Sequence, residues 1–147
     1  IVFEDADIDK AVEGAIVSKF CNSGQTCVCV NRILVHEKVY DEFTTKLSKA
    51  VANLKVGNGL DTGVNIGPMI NKSAVEKTAM LVDDAVGKGG VVLTGGKALE
   101  GCFFAPTVIG NATTDMKFAT EEIFGPVAAV YKFSTDEEAI RVANDTI

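Results

Sequence analysis

Apolar residues recur at helical spacing in several stretches of the chain. The first stretch predicts a helix over residues 8–20, with Asp7 as its N-cap. Two further stretches predict helices around residues 39–54 and over about residues 73–87. Residues 134–137 resemble a capping box, which opens a last helix. The positions predicted to face inward on the first three helices are Ile8, Val12, Ala15, Ile16, Phe20, Val39, Phe43, Leu47, Val51, Leu54, Ala74, Thr78, Val82 and Ala85.

Short apolar runs between these helices predict strands. They lie at residues 32–36, 91–93 and 127–133. Residues 103–109 also look extended, but Pro106 cannot donate a ladder hydrogen bond, so we expect an edge or irregular segment there. Helices and strands that alternate with long connections are typical of an α/β fold, with a largely parallel twisted sheet flanked by helices. We predict a single domain.

The composition excludes several classes of partner. Of the 147 residues, 47% are hydrophobic, and 14 Lys and Arg stand against 20 Asp and Glu, for a net charge of -6. A nucleic acid or an anionic membrane would call for a basic face. No apolar run approaches the roughly 20 residues that a membrane helix needs. We therefore predict neither a nucleic-acid partner nor a membrane partner.

Three of the four cysteines are crowded into one short segment. Cys21, Cys27 and Cys29 lie within nine positions, and Cys102 is far from them in sequence. A chain with so large an apolar fraction needs no disulfide staples, so we expect reduced thiols in an intracellular protein. The C-x-C spacing, the lack of a second cysteine pair and the single histidine, His36, all disfavour zinc. We predict no metal site.

Cys27 has the strongest case as a nucleophile. Gly24 and Gln25 predict a flexible turn before it, and we expect a helix to begin close to Cys27, where the helix dipole favours a thiolate. The same turn can direct backbone N–H groups at an oxyanion. The alternative is that each cysteine is a small packed hydrophobe, which suits Cys102 beside two phenylalanines.

Residues 121–126, EEIFGP, form a second candidate cluster. Carboxylates can accept hydrogen bonds from a ribose diol, and an aromatic side chain can pack against a flat ring. The alternative is that Glu121 and Glu122 are solvated acids before a buried Phe124. A Cys–His dyad would need His36, for which a solvent-facing place at a strand end is the alternative. The chain carries no Gly-x-Gly-x-x-Gly, P-loop or Gly-x-Ser-x-Gly motif.

Taken together, these segments resemble the aldehyde dehydrogenase superfamily. "NSGQTC" matches the family's active-site cysteine motif and "EEIFGPV" its second signature. "IGPMI", "GGKA" and "FAPTVI" lie between these two motifs and "AIRVAND" after them, in the family's order. The opening "IVFEDADIDKAVEGA" looks like the segment after the family's Glu-Leu-Gly-Gly motif. The resemblance spans the whole chain.

The resemblance implies a role for three of these residues. Cys27 falls on the catalytic nucleophile, Glu122 on the glutamate that holds the nicotinamide ribose, and Phe124 on the aromatic residue beside the nicotinamide. The implied reaction is oxidation of a small aldehyde with NAD or NADP, without a metal. Residues 1–147 then form a fragment of the catalytic domain, without the NAD(P)-binding domain and the oligomerisation arm. The general base and the oxyanion asparagine also lie outside the chain, so we expect the isolated fragment to be inactive.

Two further expectations about the parent protein come from the resemblance. It would be a homo-oligomer, a dimer or a tetramer, because family members commonly are. It would be an intracellular protein of the cytoplasm or the mitochondrion.

"GQTCVCVNR" is most similar to succinate-semialdehyde dehydrogenases. This resemblance assigns Cys21 and Thr26 to the substrate pocket. Those enzymes usually carry arginine where Cys21 stands, and a thiol cannot pair with a substrate carboxylate. Lactaldehyde and glutarate semialdehyde therefore stay open as substrates, as does a non-catalytic scaffold protein with the same fold. Cys29 is a possible redox partner of Cys27 through a reversible disulfide.

Overall fold

Four α-helices and four strands, with two helices in succession and then three strands, make up the part of the chain that the structure describes. The computed structural model describes residues 1–146. Asp7 accepts a hydrogen bond from the Lys10 backbone N–H (3.2 Å) and so begins the first helix where the sequence predicts it. The elements are α1 (Ile8–Phe20), β1 (Ile33–His36), α2 (Glu37–Ala52), α3 (Lys72–Gly87), β2 (Val91–Thr94), β3 (Thr107–Ala112), β4 (Val127–Phe133) and α4 (Asp136–Asn144).

The four strands form one mixed sheet in the order β1-β4-β3-β2. β4 pairs in parallel with β1 and with β3, and β2 runs antiparallel to β3 at the edge. The predicted α/β fold with a largely parallel sheet is confirmed, with one antiparallel edge strand.

The expectation of an edge or irregular segment at residues 103–109 is wrong for its second half. β3 begins at Thr107, directly after Pro106, and lies in the interior of the sheet between β2 and β4. The missing N–H of Pro106 therefore falls just outside the ladder. The Thr107 N–H donates to the Pro126 carbonyl (2.8 Å) and starts the pairing.

Helices cover both faces of the sheet, so side chains of both faces are buried. Along β4, Val127 and Ala129 pack under α3, whereas Ala128 and Val130 pack under α1 and α2. This period of two within a wholly apolar run is typical of a sheet that is buried on both sides. The result is a three-layer α/β arrangement with one core above the sheet and one below it.

His36 is buried, so the solvent-facing place predicted for it is wrong. Its Nδ1 accepts a hydrogen bond from the Lys38 N–H (3.2 Å) and caps α2. Its ring stands edge-to-face on Phe133, with centroids 5.3 Å apart. A polar ring is tolerated in this place because it supplies the helix cap.

Candidate active site

The loop between α1 and β1, here called the cysteine loop (residues 21–31), starts with a strained backbone. Asn22, Ser23 and Gly24 are all left-handed, with φ of 50°, 57° and 73°. Only glycine adopts this region without cost, and the other two residues cost about 1–2 kcal/mol each. Glycine is also required for space, since a Cβ on Gly24 would lie 2.1 Å from the Gly125 carbonyl oxygen. Strain of this kind persists only where the surroundings impose it.

Hydrogen bonds to the loop before α3 hold these strained residues in place. The Ser23 hydroxyl donates to the Gly67 carbonyl (2.9 Å). The Gln25 side chain donates to the Pro68 carbonyl (3.2 Å) and accepts from the Ile70 N–H (2.8 Å). Residues 22–25 are thereby fixed before any ligand binds.

Cys27 lies on a tight turn rather than at a helix start, so that expectation is wrong. The Cys29 N–H donates to the Thr26 carbonyl (2.9 Å) and closes a four-residue turn around Cys27 and Val28. The left-handed residues upstream redirect the chain and prevent a helix from starting here. Cys27 is exposed, and within residues 1–146 its backbone N–H has no acceptor. Both the thiol and this N–H are free to meet a substrate.

Cys27 and Glu122 line the same groove, which has a volume of about 460 Å³. The Glu122 side chain is exposed. It lies on the segment before β4, here called the carboxylate loop (residues 118–125). Because β1 and β4 are adjacent and parallel, the loops that enter them meet at one edge of the sheet. The other residues that line the groove are Ile1, Cys29, Val30, Asn31, Arg32, Leu34, Ala119, Thr120, Ala143 and Thr146.

Phe124 lies outside this groove. It lines a separate depression with Asn22, Gln25 and Ile70. Its side chain is 39% exposed, and its backbone is left-handed, with φ of 50°. A bulky residue in this region is a true outlier, and such outliers cluster at functional sites.

The other predicted site residues are spread around the cysteine loop. Cys21 is exposed directly after α1, and its carbonyl accepts a weak bond from the Cys29 thiol at 3.7 Å. Thr26 is half-buried, and neither Cys21 nor Thr26 lines the groove. Cys29 does line it. Cys102 packs against the apolar core, as expected for a structural thiol.

All four cysteines are free thiols. Within the described residues 1–146, no three His, Cys, Asp or Glu side chains are grouped to hold a metal ion. His36 lines a separate pocket and does not share the groove with Cys27. The groove therefore offers a thiol and a carboxylate rather than a Cys–His pair.

Sequence reasoning missed Lys19, a buried amine beside the groove. The residue is only 1% exposed. Burial lowers the pKa of Lys19 from 10.5 to about 8, while the nearby Cys29 and Glu122 oppose this shift. The sequence does carry a signal, because Lys19 continues the apolar stripe of Val12 and Ala15.

The chain matches known proteins along nearly its whole length. The profile described as "Aldehyde dehydrogenase family" matches residues 1–147. A mitochondrial succinate-semialdehyde dehydrogenase from rice, Oryza sativa, is 53% identical over 99% of this chain and 28% of its own length. A glutarate-semialdehyde dehydrogenase from Pseudomonas putida is 53% identical over 99% of this chain and 30% of its own.

Solved structures agree with the sequence relatives. A crystal structure of a succinate-semialdehyde dehydrogenase from Burkholderia pseudomallei superposes with a TM-score of 0.97 at 52% identity, over 99% of this chain and 30% of that chain. The chain thus spans about three tenths of the length of these relatives. Both the match along the whole chain and the fold lead to one conclusion: the chain belongs to the aldehyde dehydrogenase family.

Proposed function

We propose that residues 1–147 are the cysteine-bearing part of the catalytic domain of a longer NAD(P)-dependent aldehyde dehydrogenase. The whole protein would oxidise a semialdehyde, such as succinate semialdehyde, to the carboxylic acid. The observation that carries this proposal is the groove that exposed Cys27 shares with exposed Glu122. The family to which the chain belongs and the names of its relatives support it.

The chemistry begins at Cys27. After the thiol loses its proton to a base or to water, Sγ adds to the aldehyde carbon, and the carbonyl oxygen becomes an oxyanion. The unpaired Cys27 N–H can donate to that oxygen. When the oxyanion collapses, the C–H bond of the substrate breaks, the hydride leaves to an acceptor, and the carbon is left as a thioester on Sγ. Water then hydrolyses the thioester, which releases the acid and regenerates the thiol.

Glu122 suits the binding of a ribose. Its carboxylate is exposed in the groove, and within residues 1–146 it accepts no hydrogen bond from the protein, so its oxygens are free for hydroxyl donors. NAD or NADP, when bound, supplies an acceptor for the hydride that leaves the substrate carbon. Phe124 would pack against the nicotinamide ring. The proposal includes NADP as well as NAD, because the name of one relative, from Escherichia coli, specifies NADP(+).

Cys21 does not line the groove itself, but the family resemblance assigns it to the substrate pocket, and its identity therefore bears on which aldehyde suits the site. Succinate semialdehyde carries a carboxylate, and Cys21 supplies no cation for it. A cation from outside these residues would have to pair with that carboxylate, and glutarate semialdehyde, which also carries a carboxylate, would need the same cation. The alternative is an uncharged short aldehyde such as lactaldehyde. The relatives include enzymes named for succinate semialdehyde, glutarate semialdehyde and 3-sulfolactaldehyde.

A comparison of Cys27→Ala with wild type in the full-length protein tests the proposal. The readout is formation of reduced cofactor with NAD or NADP and a panel of charged and uncharged aldehydes. We expect turnover in wild type, and a fall in kcat on the order of 10⁴-fold in Cys27→Ala, because the covalent intermediate cannot form. Cys102→Ala, which removes a thiol far from the groove, is the matched control. Unchanged turnover in Cys27→Ala would overturn the proposal.

We further propose that the parent protein is an intracellular homo-oligomer without a nucleic-acid partner. The net charge of -6 supports the last part, since nucleic acids need a basic face. Among residues 1–146, no helix is long and apolar enough to cross a bilayer. Relatives from rice and Arabidopsis thaliana are named as mitochondrial. Light scattering on the purified full-length protein measures the number of subunits, and a monomer would contradict this part.

A further inference from the structure

The side chain of Asn31 makes three hydrogen bonds, all to one neighbouring loop. Its Nδ2 donates to the Phe118 carbonyl (2.8 Å) and to the Glu121 carbonyl (3.2 Å). Its Oδ1 accepts from the Ile123 N–H (2.9 Å). An amide offers two N–H donors and a carbonyl acceptor, and all three are engaged here.

Two of these hydrogen bonds are to the residues directly before and after Glu122. Asn31 belongs to the cysteine loop and comes four residues after Cys27. Its partners Glu121 and Ile123 are the immediate neighbours of Glu122 on the carboxylate loop. One side chain of the nucleophile's loop thus holds the other loop on both sides of the proposed ribose-binding residue.

Other contacts of the carboxylate loop do not replace this link. Lys77 donates to the Glu122 carbonyl (2.7 Å), but it reaches from α3 and ties the loop to that helix. Gly24 packs closely against the Gly125 carbonyl, which sets a minimum distance between the loops without a directional bond. Within residues 1–146 the Glu122 carboxylate accepts no hydrogen bond of its own, so the contacts described here hold Glu122 through its main chain.

We propose that Asn31 is a positioning residue that fixes Glu122 relative to Cys27, so that the cofactor's ribose meets a carboxylate already in place. The inference rests on the proposed function. Without Asn31, the carboxylate loop would have to become ordered when the cofactor binds, and that cost appears as weaker binding. Addition of the thiol to the aldehyde depends on Cys27 itself and would change less.

The test uses the full-length protein and a double-mutant cycle. Asn31→Ala removes all three bonds, whereas Asn31→Asp keeps the acceptor for the Ile123 N–H and loses both donors. The KM for NAD(P), its Kd by calorimetry, and kcat are measured for each variant. They are measured both in the native background and with Glu122→Gln.

We expect Asn31→Ala to raise the cofactor KM and Kd about tenfold, the size of one net hydrogen bond, and to change kcat less. In the Glu122→Gln background the same substitution should change KM and Kd less than twofold, because the group that Asn31 positions is already altered. Asn53→Ala is the matched control, since the Asn53 side chain donates only to the Lys49 carbonyl, in the last turn of the helix that Asn53 caps. If Asn31→Ala does not fold, Asn31→Asp carries the cycle.

Equal effects of the Asn31 substitution in the two backgrounds would overturn the inference, because Asn31 would then act independently of Glu122. A lower melting temperature with an unchanged cofactor KM would also overturn it, and would leave Asn31 a purely structural role. These outcomes leave the proposed function intact, since wild type still turns over. Absence of aldehyde-dependent cofactor reduction in wild type would overturn both proposals.

Discussion

Lys19 shows how one residue can connect the core to the groove. Its aliphatic part continues the apolar face of α1. Its amine lies close enough to Cys29 and Glu122 for an electrostatic interaction with them, which opposes the lowering of its pKa by burial. Lysine is almost never fully buried unless it is paired. A buried amine therefore destabilises the folded state at neutral pH. This amine lies next to Glu122, which is proposed to bind the cofactor.

We predict that replacing Lys19 by Met stabilises the protein at pH 7. The pKa of Lys19 is lowered from 10.5 to about 8, so the unfolded chain holds this proton more tightly than the folded chain does. Above pH 10.5 the amine is neutral in both states and costs the folded state no stability. As the pH falls to about 8, the unfolded chain takes up the proton before the folded chain does, and the folded state loses stability. The pKa shift corresponds to a loss of up to about 3 kcal/mol in the free energy of unfolding at pH 7.

Melting temperatures of the full-length protein at pH 7 and pH 10 check this prediction. The gap between Lys19→Met and wild type should be wide at pH 7 and narrow at pH 10. Lys10→Met, at an exposed position of the same helix, is the matched control and should show no such pH dependence. A Lys19→Met protein that melts below wild type at pH 7 would show that the amine has a stabilising partner.

At the scale of the elements, the turn around Cys27 brings two thiols close along the chain. The Cys29–Thr26 hydrogen bond closes the turn, and Cys29 lines the same groove as Cys27. We predict that peroxide oxidises this pair to a disulfide with the release of two waters, and so blocks turnover reversibly. Cys29→Ala should lose the reversible inhibition while it keeps activity.

Mass spectrometry of the peroxide-treated protein checks the pairing. A peptide with both cysteines should lose two hydrogens and recover them with a reducing thiol. Cys21→Ser is the control, because Cys21 is the third thiol of this segment and could compete for Cys29. If no Cys27–Cys29 disulfide forms, the hypothesis of a redox partner fails.

At the scale of the whole molecule, the described residues hold only part of the proposed machinery. The groove provides a nucleophile and a carboxylate, but it is open, and the chain spans about three tenths of the length of its relatives. We predict that the isolated 147-residue chain gives no turnover with succinate semialdehyde and either cofactor. The reason is that the family resemblance implies a general base and a dinucleotide-binding domain that these 147 residues do not supply.

Cofactor reduction by the purified chain, with the full-length protein as the positive control, checks this prediction. Alkylation of Cys27 by iodoacetamide in both proteins shows whether the exposed thiol is still reachable in the short chain. Turnover by the isolated chain that disappears in Cys27→Ala would contradict the prediction.

Much of the local structure follows from the sequence. Helical spacing and the Asp7 cap place α1 where the structure has it, since these signals act within a few residues. Gly24 and Gln25 predict the turn that precedes Cys27. The same local reasoning fails at the predicted helix start near Cys27, because left-handed residues held by the loop before α3 redirect the chain.

Only the tertiary structure decides which distant residues meet. The strand order puts β4 next to β1, and this brings Glu122 to the groove of Cys27 and leaves Phe124 in a separate depression. Asn31 has no special signal in the sequence, since its role depends on partners about 90 residues away. The sequence by itself determined most of the elements through short-range periodicity and capping, and its motifs led to the proposal of Cys27 as the nucleophile. Strand pairing, burial and long-range hydrogen bonds decided how the site is assembled.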